Sequence, residues 1–107
     1  MSAERSLDVM PLDVRFDPHA ERDLDAIGEF IAKDSPANAV RFLDRVEGFC
    51  QKLAEFPEKG RARPDIAPEI RSYSFERRVQ VAYRVEDDHL VILRILYAGQ
   101  RYEDTPD

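Results

Sequence analysis

Apolar residues recur at two different periods along this chain, and the change of period separates a helical first half from a strand-rich second half. Leu12, Val14 and Phe16 alternate with Asp13 and Arg15, the period-two pattern of a short half-buried strand. Asp17-Pro18 then opens a helix, with Asp17 able to cap and Pro18 suited to a first position where its missing N–H is not needed. Ala20, Leu24, Ile27 and Ile31 follow at spacings of four, three and four, so they share one face. Gly28 lies inside this helix, where glycine costs about 1 kcal/mol relative to alanine. Close packing against a neighbouring helix is the expected reason for it.

Ser35-Pro36 repeats the cap-and-proline signal and starts a longer helix. Phe42, Val46, Phe49, Leu53 and Phe56 form its stripe, widened by Ala39, Leu43 and Cys50, and Pro57 stops it. The short link predicts an antiparallel helical hairpin. A polar loop from Pro57 to Pro64, turning at Gly60, leads to a weakly patterned strand over Ile70 to Phe75. Val79, Val81, Tyr83 and Val85 alternate clearly in the next strand. Glu86 to His89 reads as a hairpin loop, and Leu90 to Tyr97 as a central strand buried on both faces. The order is β-α-α-β-β-β: an α+β, two-layer domain with the helical hairpin packed on a mainly antiparallel sheet. Residues 1–11 read as a flexible lead-in, 12–101 as a single domain and 102–107 as a polar tail.

Charge adds an asymmetry to this plan. The chain of 107 residues carries a net charge of -6. Residues 1–60 hold 8 Lys and Arg against 13 Asp and Glu, whereas residues 61–84 hold 6 arginines against 3 acids. Non-specific adhesion to nucleic acid is therefore not expected, but one local face can attract an anion or an acidic protein segment. No apolar run reaches the roughly 18 residues that span a bilayer. The amino terminus lacks the basic and apolar stretches of a secretion signal, so a cytoplasmic location without membrane attachment is expected. The single cysteine, Cys50, agrees with a reducing compartment and reads as a small buried hydrophobe.

The inventory of reactive groups is thin. His19 and His89 are 70 residues apart, and no Cys/His cluster has ligand spacing, so no metal site is expected. The glycines are too scattered for a phosphate-binding loop, and no cofactor is implied. Arg94 stands in an otherwise apolar strand, where an unpaired charge is costly; it must reach solvent or a carboxylate. Tyr83 and Tyr97 read as packing residues.

The ordered set of residues resembles the RelE/ParE superfamily of toxins from bacterial type II toxin–antitoxin systems, and the ParE branch most closely. The resemblance runs from about Leu12 to Arg101. It rests on Ala20-Glu21-Arg22-Asp23-Leu24-Asp25-Ala26-Ile27, Ser35-Pro36, Ala39-Val40-Arg41-Phe42-Leu43 and Leu53-Ala54-Glu55-Phe56-Pro57 with Gly60-Arg61. Ile70-Arg71-Ser72, Ala82-Tyr83-Arg84-Val85 and Val91-Ile92-Leu93-Arg94-Ile95-Leu96 complete it. The resemblance implies a toxin, associated with plasmid stabilization and growth arrest, whose cognate antitoxin (ParD-like or similar) folds a carboxy-terminal segment onto it.

Two modes of action occur in that superfamily. RelE-like members cut ribosome-bound mRNA, and ParE-like members poison DNA gyrase. RNA cleavage needs a general base, a general acid and cations around the phosphorane. Arg71, Arg78 and Arg101 would be the nuclease residues here, but the RelE-type carboxy-terminal tyrosine position falls among Asp104 to Asp107. Tyr97 replaces a common last-strand histidine, and no lysine follows Lys59. The expected reading is thus a gyrase inhibitor that is not an enzyme and does not bind nucleic acid directly. The same Arg71, Arg78 and Arg101 become target-contacting candidates, with pairing to surface acids as the plainer alternative. A third possibility is a degenerate member that only binds its antitoxin. Phe30, Phe42 and Phe49 are candidates for antitoxin contact through helix-in-groove recognition, the alternative for each being core packing.

Overall fold

The computed structural model describes residues 12–105; the expected lead-in at 1–11 lies outside them. The elements are β1 (Asp13–Phe16), α1 (Pro18–Ala32), α2 (Pro36–Glu55), β2 (Arg61–Ala62), β3 (Arg71–Phe75), β4 (Val79–Glu86) and β5 (His89–Tyr97). Both helices start as their sequences dictate. The Asp17 carboxylate accepts from the His19 N–H at 2.8 Å, the Ser35 hydroxyl accepts from Asn38 N–H at 3.2 Å, and a proline follows each cap. These contacts satisfy amide donors that have no partner inside the helix.

The sheet order is β1-β5-β4-β3-β2. β1 runs parallel to β5, from Asp13 beside His89 to Phe16 beside Ile92, while the other pairs are antiparallel. The helical hairpin covers one face. Ala20 and Ile27 of α1 and Phe42, Val46, Cys50 and Leu53 of α2 pack with Val79, Val81, Tyr83, Leu90, Ile92 and Ile95 in one core. Gly28 is buried where the helices meet, and a Cβ there would lie 3.3 Å from Leu43 Cδ1. The close approach expected from the sequence is what the glycine provides.

Two expectations need correction. The loop after α2 contains a fifth strand, the two-residue β2, paired with β3. Two residues are too few to show a period, so the pattern could not reveal it. Phe56, read as part of the α2 stripe, is 59% exposed. The helix ends at Glu55, and the non-helical backbone of Phe56 (φ -134°, ψ 69°) carries its ring off the buried face.

The face away from the helices is also partly closed. Ser72 and Ala82 are paired neighbours, flanked in each strand by residues that point to the core, so both face outward; both are buried. Arg94 lies opposite Ala82, next to a bulge where Leu93 has no partner. It is only 8% exposed. Its Nε and Nη2 donate to Asp23 of α1 at 2.7 and 2.8 Å, and its Nη1 donates to the Thr105 hydroxyl at 2.6 Å. The carboxylate partner demanded by the sequence is thus Asp23. The same carboxylate accepts from Ile95 N–H at 2.8 Å, just beyond the point where β1 stops pairing with β5. Tyr102–Asp104 form a short 3-10 turn that brings Thr105 back to Arg94.

Candidate partner-binding surface

An open apolar surface lies at the end of the sheet, between α1, the start of α2 and the last residues of β5. Phe30 falls outside the α1 stripe of Ala20, Leu24, Ile27 and Ile31, and is 61% exposed. Its ring meets the edge of Tyr97 with centroids 6.3 Å apart, and Tyr97 meets buried Phe42 at 6.0 Å. Two adjoining cavities of about 410 and 370 Å³ flank this aromatic row and share Arg78 and Tyr97 in their walls. Ala26, Ile27, Ala98 and Gln100 complete the first, and Ile31, Asn38, Arg45, Glu76 and Val79 the second.

Tight turns bring these groups together. Glu76 and Arg77 have φ of 51° and 66° in the β3–β4 turn, and Ala98 and Gly99 have 54° and 90° after β5. The Arg78 carbonyl accepts from Ala98 N–H at 2.9 Å, tying the two turns. Two cations face the groove in different states. Arg45 grips Glu76 through Nε at 2.6 Å and Nη2 at 3.1 Å, which holds its pKa above the usual arginine value. Arg78 reaches the Tyr97 hydroxyl at 3.5 Å and has no carboxylate partner among the described residues. The groove therefore offers apolar rings and one cation available to a partner's carboxylate.

The remaining candidates are dispersed. Arg71, in β3 between β4 and the two-residue edge strand β2, points to the helix side of the sheet, where its Nη1 donates to the carbonyls of Gly60 at 2.7 Å and Glu58 at 3.3 Å. The Tyr83 hydroxyl donates to the Pro57 carbonyl at 2.7 Å and accepts from Gly60 N–H at 2.8 Å. Burial raises the Tyr83 pKa, keeping the phenol protonated as this clasp requires. Tyr83, read as simple packing, thus also locks the loop that carries Lys59 and Arg61.

Phe49 stacks on Tyr73 at 5.6 Å and lies 4.6 Å from Phe75, with Lys59 over Tyr73, in a half-buried group packed against the main core. Arg101 is exposed and donates to Glu103 at 3.2 Å. Of the six residues singled out from the sequence, the structure brings together Phe30, Phe42 and Arg78. Arg71, Phe49 and Arg101 lie elsewhere. Tyr97, the hub of the groove, was read from the sequence as a packing residue standing where a last-strand histidine is common, not as a binding candidate.

Other chemistry is sparse. Among the described residues no three His, Cys, Asp or Glu side chains form a group able to hold a metal. Burial pushes the Cys50 thiol up to about 12, far from the thiolate a nucleophile needs. No helix among the described residues is long and apolar enough to cross a membrane.

Residues 14–102 match the family model described as the ParE toxin of the type II toxin–antitoxin system parDE. The chain belongs to the ParE toxin family. It is 36% identical over 75 residues to Toxin ParE3 of Caulobacter vibrioides, spanning 69% of this chain and 74% of that one. Among solved structures it is similar to a chain of the chromosomal ParDE system of P. aeruginosa, with a TM-score of 0.69 and 24% identity. That match covers 82% of this chain and 97% of the other, and shows the shared fold. It is also similar to a chain of the RelBE2 toxin–antitoxin complex of Mycobacterium tuberculosis, with a TM-score of 0.61, 26% identity, and 82% and 99% covered. The helical hairpin on a mainly antiparallel sheet is thus the ParE fold, and the chain is a toxin of a type II toxin–antitoxin system.

Proposed function

We propose that this ParE-family toxin acts in the cytoplasm by binding DNA gyrase, and that a ParD-like antitoxin silences it by laying an amphipathic segment into the groove around Phe30, Tyr97 and Arg78. The observation that carries the antitoxin reading is the exposed ring of Phe30 beside Tyr97 and Arg78. An aromatic 61% exposed on a groove wall, with an unneutralised cation at its rim, suits helix-in-groove recognition. Family membership supports gyrase as target. So does the dispersal of the arginines: Arg71 holds loop carbonyls, Arg78 lines the groove, and Arg101 pairs with Glu103. RNA cleavage needs such cations to converge on one phosphate.

Inducing the chain in bacteria with and without its neighbouring antitoxin gene tests this directly. Growth arrest with DNA breaks and intact mRNA is the expected result, relieved by the antitoxin. Cleaved mRNA without DNA damage would replace the gyrase reading by a ribosome-dependent endonuclease. Absence of toxicity at good expression would leave antitoxin binding as the chain's sole activity.

A further inference from the structure

On the other flank of α1 a second cleft, of about 290 Å³, opens where the end of β1 meets the two helices. Phe16, Leu24 and Leu43 make an apolar floor and are all half-buried; Asp25, Asp44 and Glu47 make the rim and are all exposed. Among the described residues none of these three carboxylates takes part in an ion pair. Asp44 and Glu47 are three residues apart on α2, so they stand one above the other on the same side of the cleft.

We propose that this cleft receives a basic, amphipathic stretch of the antitoxin, one long arginine or lysine at a time. The inference rests on the antitoxin reading above and adds a second contact to it. The cleft is large enough to take one long side chain. An aliphatic stem lies on Phe16, Leu24 and Leu43 while its cation stays in water at the carboxylate rim, the arrangement long basic side chains adopt at apolar surfaces. Nucleic acid and anionic lipid are repelled by that rim, and a second copy of the chain brings a net charge of -6 of its own.

Charge complementarity also sets a direction. α1 is the shared wall: Leu24 and Asp25 face the acidic cleft, whereas Ala26, Ile27 and Phe30 face the groove that holds Arg78. An antitoxin chain that crosses α1 must therefore place an acidic residue at Arg78 and a basic one at Asp44 and Glu47. The reverse direction sets like charges against each other at both ends, which selects both orientation and cognate partner.

Titration calorimetry of the purified chain with its cognate antitoxin, over a range of salt, tests the proposal. The Asp44→Lys/Glu47→Lys variant changes two exposed residues, and thermal melting confirms its fold. It should bind roughly tenfold or more weakly, with a shallower salt dependence. Asp44→Asn/Glu47→Gln should fall between it and the original chain. Phe30→Ala should also bind more weakly but keep the original salt slope, because it removes apolar contact and no charge. Unchanged affinity and slope in the lysine variant would overturn the cleft proposal and leave the antitoxin reading intact. Failure of the unaltered chain to bind would remove both. A dimer abolished by the lysine variant in sedimentation, with antitoxin affinity unchanged, would make a second copy the occupant and overturn the proposal.

Discussion

Arg94 and Tyr83 each hold together segments far apart in the sequence, so single substitutions there have effects beyond their own side chains. Asp23→Ala leaves the Arg94 guanidinium buried without its bidentate partner and Ile95 N–H without its acceptor. Breaking a buried ion pair in this way destabilises by about 3–5 kcal/mol, and a urea midpoint should report it. Tyr83→Phe removes the donor to Pro57 and the acceptor for Gly60, for a loss of about 1–3 kcal/mol. Asp17 gives a pH signature. The His19 N–H bond, first among its influences, lowers its pKa from 3.8. A carboxylate depressed in the folded state stabilises fully above its unfolded value and loses that contribution as pH falls through the folded one. Asp17→Ala should therefore be about 1 kcal/mol less stable near neutral pH, a gap that closes as acid is added below pH 3.8. Cys50, with its thiol pushed up to about 12, should stay unreactive to thiol reagents at pH 8 until the chain unfolds. At this scale Arg94 and Gly28 were readable, because each breaks a local rule that only a specific neighbour can excuse. Arg71 was not, because an arginine at the start of a strand looks the same in sequence whether it meets a partner or its own loop.

Helices and long strands were legible because capping residues and apolar periods agree over many positions. β2 escaped that reading because side-chain contacts from other strands hold its approach: Tyr83 and Arg71 both bind the Pro57–Gly60 turn. Glycine is required at position 60 for space, since a Cβ would come within 2.2 Å of the Tyr83 hydroxyl. Gly60→Ala must expel that hydroxyl or shift the turn. It should destabilise by about 1–3 kcal/mol and speed hydrogen exchange at the Gly60 and Arg63 amides, while α1 and α2 keep their protection. Phe56 shows the opposite limit: its spacing fits the α2 face, but a stripe has meaning only while the backbone remains helical.

Across the whole molecule, the charge asymmetry visible in the sequence becomes two differently charged flanks of one helix, cationic at Arg78 and acidic at Asp44 and Glu47. Composition could supply the imbalance but not its placement. Arg78 and Tyr97 meet only because the β4–β5 hairpin sets Val79 opposite Tyr97. Phe30 was partly readable, as an aromatic just off the apolar stripe. Its exposure implies that the chain without antitoxin self-associates, and Phe30→Ser should lower the sedimentation-derived mass at high concentration.

The parallel pairing of β1 with β5 orders events in time. The first strand leaves the ribosome long before its partner, because two α-helices and three strands lie between them and β5 is the last strand among the described residues. Until then the sheet beneath the helical hairpin is incomplete, and part of its buried stripe is open to any apolar segment nearby. A translation stop anywhere before Leu90 leaves β5, and with it the seat of β1, unmade. Such a fragment has no completed groove between α1 and Tyr97, and so offers no seat there for the proposed antitoxin segment.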